Sequence, residues 1–282
     1  MKNKSPNFNA VRWTASDLQE TEIDSKLLRY LNDLGACVSE KNMHLLSQAL
    51  EWTSKDMAQY SLVENNESLP DWWAERNNKL FIPKDSSFKD FPEIRTHPGI
   101  SSPENCTVFL CEASNYSILI WGSDSVVYIS PDAHIPFGEI AVGNGFVFIG
   151  PDVRSTARLN INCRNGGSVI LTEDILIGSD VKFQSDDCHT IISLSSNERL
   201  NPFGGTIVVR NHVWFGEDSL IFGDSYIEHN CIIGARSFVR GIATPSNSII
   251  AGVPGKVIRT DITWDSRDLP PNHVDLSFPS DV

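Results

Sequence analysis

Between Val209 and Ala243 a bulky apolar residue stands at every sixth position: Val209, Phe215, Ile221, Ile227, Ile233 and Val239. Four positions after each come Val213, Ser219, Ser225, Cys231, Ser237 and Ala243, all small or β-branched. A helix repeats near 3.6 residues and a strand alternates with period two, so neither gives a beat of six. A chain that turns a corner every six residues does. Three such faces close one coil of about 18 residues, stacked on the next at roughly 4.8 Å. Each coil buries its apolar edge only against its neighbours. The pattern predicts a mainly β protein built as a parallel β-helix.

The rest of the chain reads around that stack. Asp17 is placed to cap a helix with Leu18, Ile23, Leu27, Leu28, Leu31 and Leu34 on one side, ended by Gly35. Ser39 is placed to cap a second, with Met43, Leu46, Ala49, Leu50 and Met57 at helical spacing. The Asp71-Trp72-Trp73 cluster reads as an anchor of this helical front, with a sugar platform as the alternative. Pro83 to Asn105 is rich in Pro, Ser and charge and reads as linker. Short β-branched runs begin at Thr107, and clear sixes follow at Ile149, Ser155 and Ile161, then at Leu171, Ile177 and Phe183.

The next step lands on His189, where an apolar residue is due. Regular repetition resumes 20 positions later at Val209, two more than one coil, so the polar stretch between Ile192 and Gly205 is expected to bulge out. Insertions in stacked repeats collect on one face and often form the site. The Pro/Gly-rich run Ile250 to Arg259 closes the stack, and Trp264 is placed to cap its open end. The expected division is therefore a helical N-terminal region and linker over 1–105, the β-helix over 106–264 and a surface tail over 265–282.

Charge and composition narrow the function. A formal net charge of -13 over 282 residues argues against a nucleic-acid partner and an anionic membrane surface. No run of 18 apolar residues is present, so no membrane span is expected. Met1 to Trp13 is polar, without the apolar core of a secretion signal. Six scattered cysteines without a CxxC pair suit a reduced, cytoplasmic protein.

The closing run Ile250-Ala251-Gly252-Val253-Pro254-Gly255-Lys256-Val257-Ile258-Arg259 is similar to the terminal motif of the left-handed β-helix (hexapeptide-repeat) acyltransferases. Asn211-His212-Val213-Trp214-Phe215-Gly216, Ile233-Gly234-Ala235 and Asp186-Asp187-Cys188-His189-Thr190-Ile191 resemble the same family, in particular the bacterial sugar and capsular-polysaccharide O-acetyltransferases. The chain departs from the pattern at Gly255, where Ala is common, and at Arg240-Gly241, where the family often places Lys. The resemblance implies a left-handed parallel β-helix in a homotrimer, with clefts between prisms, acetyl-CoA along the coils and a carbohydrate acceptor. It implies an acetyl-CoA-dependent O-acetyltransferase and no metal.

Within that implication, small residues at Gly216, Ala235, Ala251 and Gly252 let a narrow pantetheine arm approach the backbone. Lys256 and Arg259, with Arg240 as a further candidate, supply cations for the adenosine and pyrophosphate groups. The alternative is that the glycines turn corners and the cations are solvated. His189 is the candidate general base, since imidazole can take a hydroxyl proton and return it to a thiolate. If the segment is extended, Asp187 faces the same side and orients the ring. Trp214 implies a flat face for a sugar or the thioester, or else an interface filler, and His212 is secondary. Three other readings stay open: N-acetyl transfer to an amino-sugar nucleotide, a γ-carbonic-anhydrase-like zinc enzyme using His189, His212 and His229, and a non-catalytic trimerisation scaffold.

Overall fold

The computed structural model describes residues 22–63, 67–84, 86, 91–110 and 115–271. Its body is a three-sided β-solenoid whose sheets hold eight, seven and six strands. In one coil Val153–Ser155 lies in the six-stranded sheet, Arg158–Cys163 in the seven-stranded sheet and Ser168–Leu171 in the eight-stranded sheet. Pairing is parallel except at the outermost pairs, Tyr60–Leu62 with Lys79–Pro83 and Ser248–Ala251 with Lys256–Thr260. The sixfold residues Val209, Phe215, Ile221, Ile227, Ile233 and Val239 are all fully buried inside the prism.

Corners are turned by residues in the left-handed conformation, chiefly Asn and Asp, whose short polar side chains tolerate it. Asp152, Asp174, Asn230 and Asn247 mark the edge between the eight- and six-stranded sheets, and His212 (φ 56°) fills the same place in its own coil.

Coil length changes along the stack. Asn115 pairs with Phe137 and Leu159 with Val181, steps of 22 residues, whereas Ile207 pairs with Ser225 and Leu220 with Phe238, steps of 18. Between them Lys182 pairs with Leu220 and Leu171 with Val209, a step of 38. One coil therefore carries 20 extra residues. The excursion leaves after the strand Val181–Gln184 and returns at Thr206–Val209, so it begins earlier than Ile192.

The front of the chain differs from the expectation in two ways. Helix α1 (Ser25–Leu34) is capped by Asp24, which accepts from the Lys26 N–H, and ends at Gly35 (φ 69°). The Asp17 cap lies outside the described residues. Helix α2 (Glu40–Glu51) is capped by Ser39 as expected, and Met57 falls beyond its end. The stretch expected as linker contains the strand Glu93–Thr96, which pairs with Asn115–Ile120, and Lys79–Pro83 pairs with Thr107–Phe109. Buried Ile94 and Leu80 make these strands part of the solenoid core, and each is too short to show a period in sequence. The short helix α3 (Trp72–Glu75) sinks Trp73 into the same core, the anchoring role.

Both long helices lie on the outer face of the eight-stranded sheet. There Leu27, Leu31, Met43, Leu45, Leu46 and Ala49 cover an aromatic ladder of Phe81, Phe109, Tyr128 and Phe148. Phe81 stacks on Phe109 and Tyr128 on Phe148, each at 4.9 Å. Strands of this sheet are thus apolar on both faces, and Val126–Ile129 and Phe146–Ile149 are buried at every position. Among the described residues no helix is long and apolar enough to cross a membrane.

Trp264 does not cap the open end. It lies against the side of the prism, stacked on His212 at 4.4 Å and tilted against Trp214 at 6.2 Å. Its indole N–H donates to the His212 carbonyl at 2.9 Å, a bond unavailable at the end of the stack. Residues 272–282 of the expected tail lie outside the described residues.

Candidate active site

The excursion starts at the corner between the seven- and eight-stranded sheets. Its neck is tied by Asp186, which is buried. One Asp186 oxygen accepts from the Cys188 N–H at 2.9 Å, and the other accepts from Asn165 Nδ2 at 2.6 Å and the Gly204 N–H at 3.1 Å. Both ends of the loop therefore meet on one carboxylate, which offsets its desolvation.

His189 stands exposed just beyond this knot. The segment carrying it is not extended. Cys188 takes φ 61°, and the His189 N–H donates to the Asp187 carbonyl at 2.7 Å, a tight turn. Side-chain alternation therefore does not place Asp187 against the ring. The Asp187 carboxylate instead accepts from Arg240 Nη1 and Nη2, both at 2.9 Å, and from Asn201 Nδ2 at 3.1 Å. The Arg240 fork, helped by Asn201, holds this carboxyl below the usual carboxylate range. No described residue bonds the His189 ring.

Trp214 lies on the strand Val213–Phe215 of the six-stranded sheet and is 40% exposed. That sheet faces away from the corner carrying His189, so one chain does not bring the two together. His212 is locked: its Nδ1 meets Asp174 Oδ2 at 2.6 Å and its Nε2 meets the Trp264 carbonyl at 3.1 Å. Burial works against its charge, but Asp174 and the Trp264 carbonyl outweigh that and raise its pKa. His229 lies beside Glu228, 3.2 Å away, and is exposed.

The expected coenzyme residues divide. Gly216, Ala235, Ala251 and Gly252 line the edge between the six- and seven-stranded sheets, where Phe215, Ile233 and Ile250 stand in register. Lys256 pairs with Ala251 and joins them. Arg259 pairs with Ile249, further along the six-stranded sheet, and Arg240 belongs to the loop neck on another edge. A Cβ at Gly216 would come within 2.5 Å of the Ala235 nitrogen, so this glycine is required by the stacking of successive coils. Lys256 and Arg259 are exposed and form no ion pair among the described residues, which leaves both open to an anion. The sequence reading missed Asp186, Asn201 and the bracing place of Arg240. Only the contacts reveal them.

The same architecture occurs in proteins of known class. No family model matches the chain. WbbJ of Escherichia coli (strain K12), named as a candidate lipopolysaccharide biosynthesis O-acetyl transferase, is 32% identical over 150 residues. The match covers 47% of this chain and 74% of WbbJ. The crystal structure of the polySia-specific acetyltransferase NeuO superposes with a TM-score of 0.52 at 22% identity, over 60% of this chain and 78% of NeuO. That of the polysialic acid O-acetyltransferase OatWY gives 0.52 at 19% identity, over 66% of this chain and 93% of OatWY. The two structures share the fold, and WbbJ supplies the sequence kinship. The chain belongs to the O-acetyltransferases of the hexapeptide-repeat acyltransferase family.

Proposed function

We propose that the protein transfers acetyl from acetyl-CoA to a hydroxyl of a bacterial polysaccharide or its sugar precursor, with His189 as general base. The observation that carries this is an exposed imidazole, free of partners among the described residues, on a loop whose neck is tied by a buried carboxylate. A ring in that state can bond to an acceptor hydroxyl. His189 takes the proton as the hydroxyl oxygen attacks the thioester carbonyl, then returns it to sulfur as the C–S bond breaks. WbbJ, NeuO and OatWY support the choice of a polysaccharide acceptor.

The site is completed by a second copy of the chain, within a homotrimer. Two features support this reading. Trp214 and His189 lie on different sides of one prism and can share a cleft only across two. The excursion also exposes Ile191, Ile192, Leu194, Leu200 and Phe203, an apolar surface that calls for cover. The edge of Gly216, Ala235, Ala251 and Gly252 suits a pantetheine arm, with Lys256 and Arg259 for the phosphates.

The test is thiol release from acetyl-CoA with a panel of oligosaccharides and amino-sugar nucleotides. Hydroxyl acceptors are expected to give turnover that His189→Ala lowers at least about a hundredfold. Turnover with amino sugars alone would replace this reading by N-acetyl transfer.

A further inference from the structure

We propose that Arg240 and Asn201 are positioning residues that set the placement of His189, and that Arg240 works there and not at the coenzyme phosphates. This rests on the reading of His189 as the base.

The turn bearing His189 carries no regular secondary structure, so its position depends on side-chain bonds to its own main chain. Asn201, 8% exposed, supplies several at once. Its Nδ2 donates to the His189 carbonyl at 2.7 Å and to Asp187 Oδ2 at 3.1 Å, while its Oδ1 accepts from the Ile191 N–H at 2.8 Å. The main chain on both sides of His189 is thereby held by one buried carboxamide.

Arg240 reaches the same turn from elsewhere in the fold. It follows the strand Phe238–Val239, two coils beyond the strand Val181–Gln184 that launches the excursion. Its guanidinium lies over the Phe222 ring, 4.8 Å from the centroid, and grips both Asp187 oxygens at 2.9 Å. A planar fork matched to a carboxylate fixes direction as well as distance, which a lysine cannot do. Asp187 in turn opens the tight turn, its own carbonyl accepting from the His189 N–H. Arg199 reinforces the returning limb, donating to the Asn201 carbonyl, Thr190 Oγ1 and the Pro202 carbonyl. The whole path from Arg240 through Asp187 and Asn201 to the peptide of His189 is continuous. With its terminal fork engaged by Asp187 and its plane laid over Phe222, Arg240 is committed to the loop, and it stands on a different edge from Lys256.

The experiment uses the full chain in its native assembly and two readouts: hydrogen exchange of the segment 186–205, and separate kcat and KM for acetyl-CoA. Arg240→Met and Asn201→Ala are each expected to speed exchange at Ile191, and to lower kcat about 10- to 100-fold with KM for acetyl-CoA within about twofold, the scale of a misplaced catalytic group. Arg240→Lys keeps the charge without the fork and is expected to fall between, which covers the case of an unstable Met variant. Asp187→Asn combined with Arg240→Met is expected to cost no more than the worse single change. A raised KM with unchanged kcat in Arg240→Met would return Arg240 to the phosphates and overturn the proposal. Unchanged exchange while His189→Ala is inactive would overturn the brace and leave the base standing. Full turnover in His189→Ala would overturn the base, and the brace as a positioning device with it.

Discussion

Two histidines on different edges of the prism are opposites in every physical respect. His212 sits at a corner in the left-handed conformation, bonded through both ring nitrogens and stacked on Trp264. His189 sits on an excursion, exposed, its main chain held and its ring free of described partners. Both residues lie in segments that resemble family motifs, and spacing marks His189 as the one that displaces an apolar residue but does not say whether either ring is bonded. The contacts do. A ring that already has two strong bonds stabilises the fold and has no lone pair for a substrate, whereas a ring that is positioned but unbonded can exchange a proton.

The sharpest way to break this contrast is to remove each ring. His189→Ala is expected to lower kcat by about 10²–10⁴-fold, read by thiol release, with the thermal midpoint unchanged. Lost stability with retained turnover would exchange the roles of the two residues. His212→Ala is expected to cost about 1–3 kcal/mol of stability in denaturant unfolding, because Asp174 and the Trp264 carbonyl lose a partner. Its effect on turnover per folded molecule should be small.

A smaller effect sharpens the division of the cations. Lys256→Ala is expected to raise KM for acetyl-CoA about fivefold, roughly 1 kcal/mol, since an exposed charge pair contributes little more. Steady-state titration of acetyl-CoA in that variant checks it, and an unchanged KM would remove Lys256 from the phosphate site.

The smallest expected effect is a pH slope. The His212 pKa is raised in the folded state, so its contribution is complete below the ordinary histidine value of roughly 6.5 and is lost as pH rises through the raised one. The thermal midpoint should therefore decline more steeply on going from mildly acidic to mildly alkaline pH than it does in His212→Asn. Equal slopes would show that the ring is not charged in the fold.

How far the chain could be read depended on how repetitive it is. The beat from Val209 to Val239 named its own core residues, and all six are buried. The earlier coils run to 22 residues, so their sixes look broken. Those coils carry another signal. Runs apolar at every position, Val126–Ile129 and Phe146–Ile149, mark the eight-stranded sheet, which is covered by helices on its outer face. Asn and Asp recurring before small corner residues, as at Asp218, Asp224, Asn230 and Asn247, are a second. The strand Glu93–Thr96 had no signal of its own, because four residues with one buried Ile cannot display a period. At the site, the off-beat His189 was legible, but the partner of Asp187 was not. Arg240 lies 53 positions away, and only the alignment of corners brings it near.

By itself the amino-acid sequence determined the stacked coil and the point where the chain leaves it, because a strict repeat makes one misplaced residue visible. The tertiary structure alone decided which carboxylate holds which cation, which histidine is locked and which edge carries Trp214. Those outcomes depend on how side chains of different coils line up around a closed prism, and linear spacing does not encode that alignment.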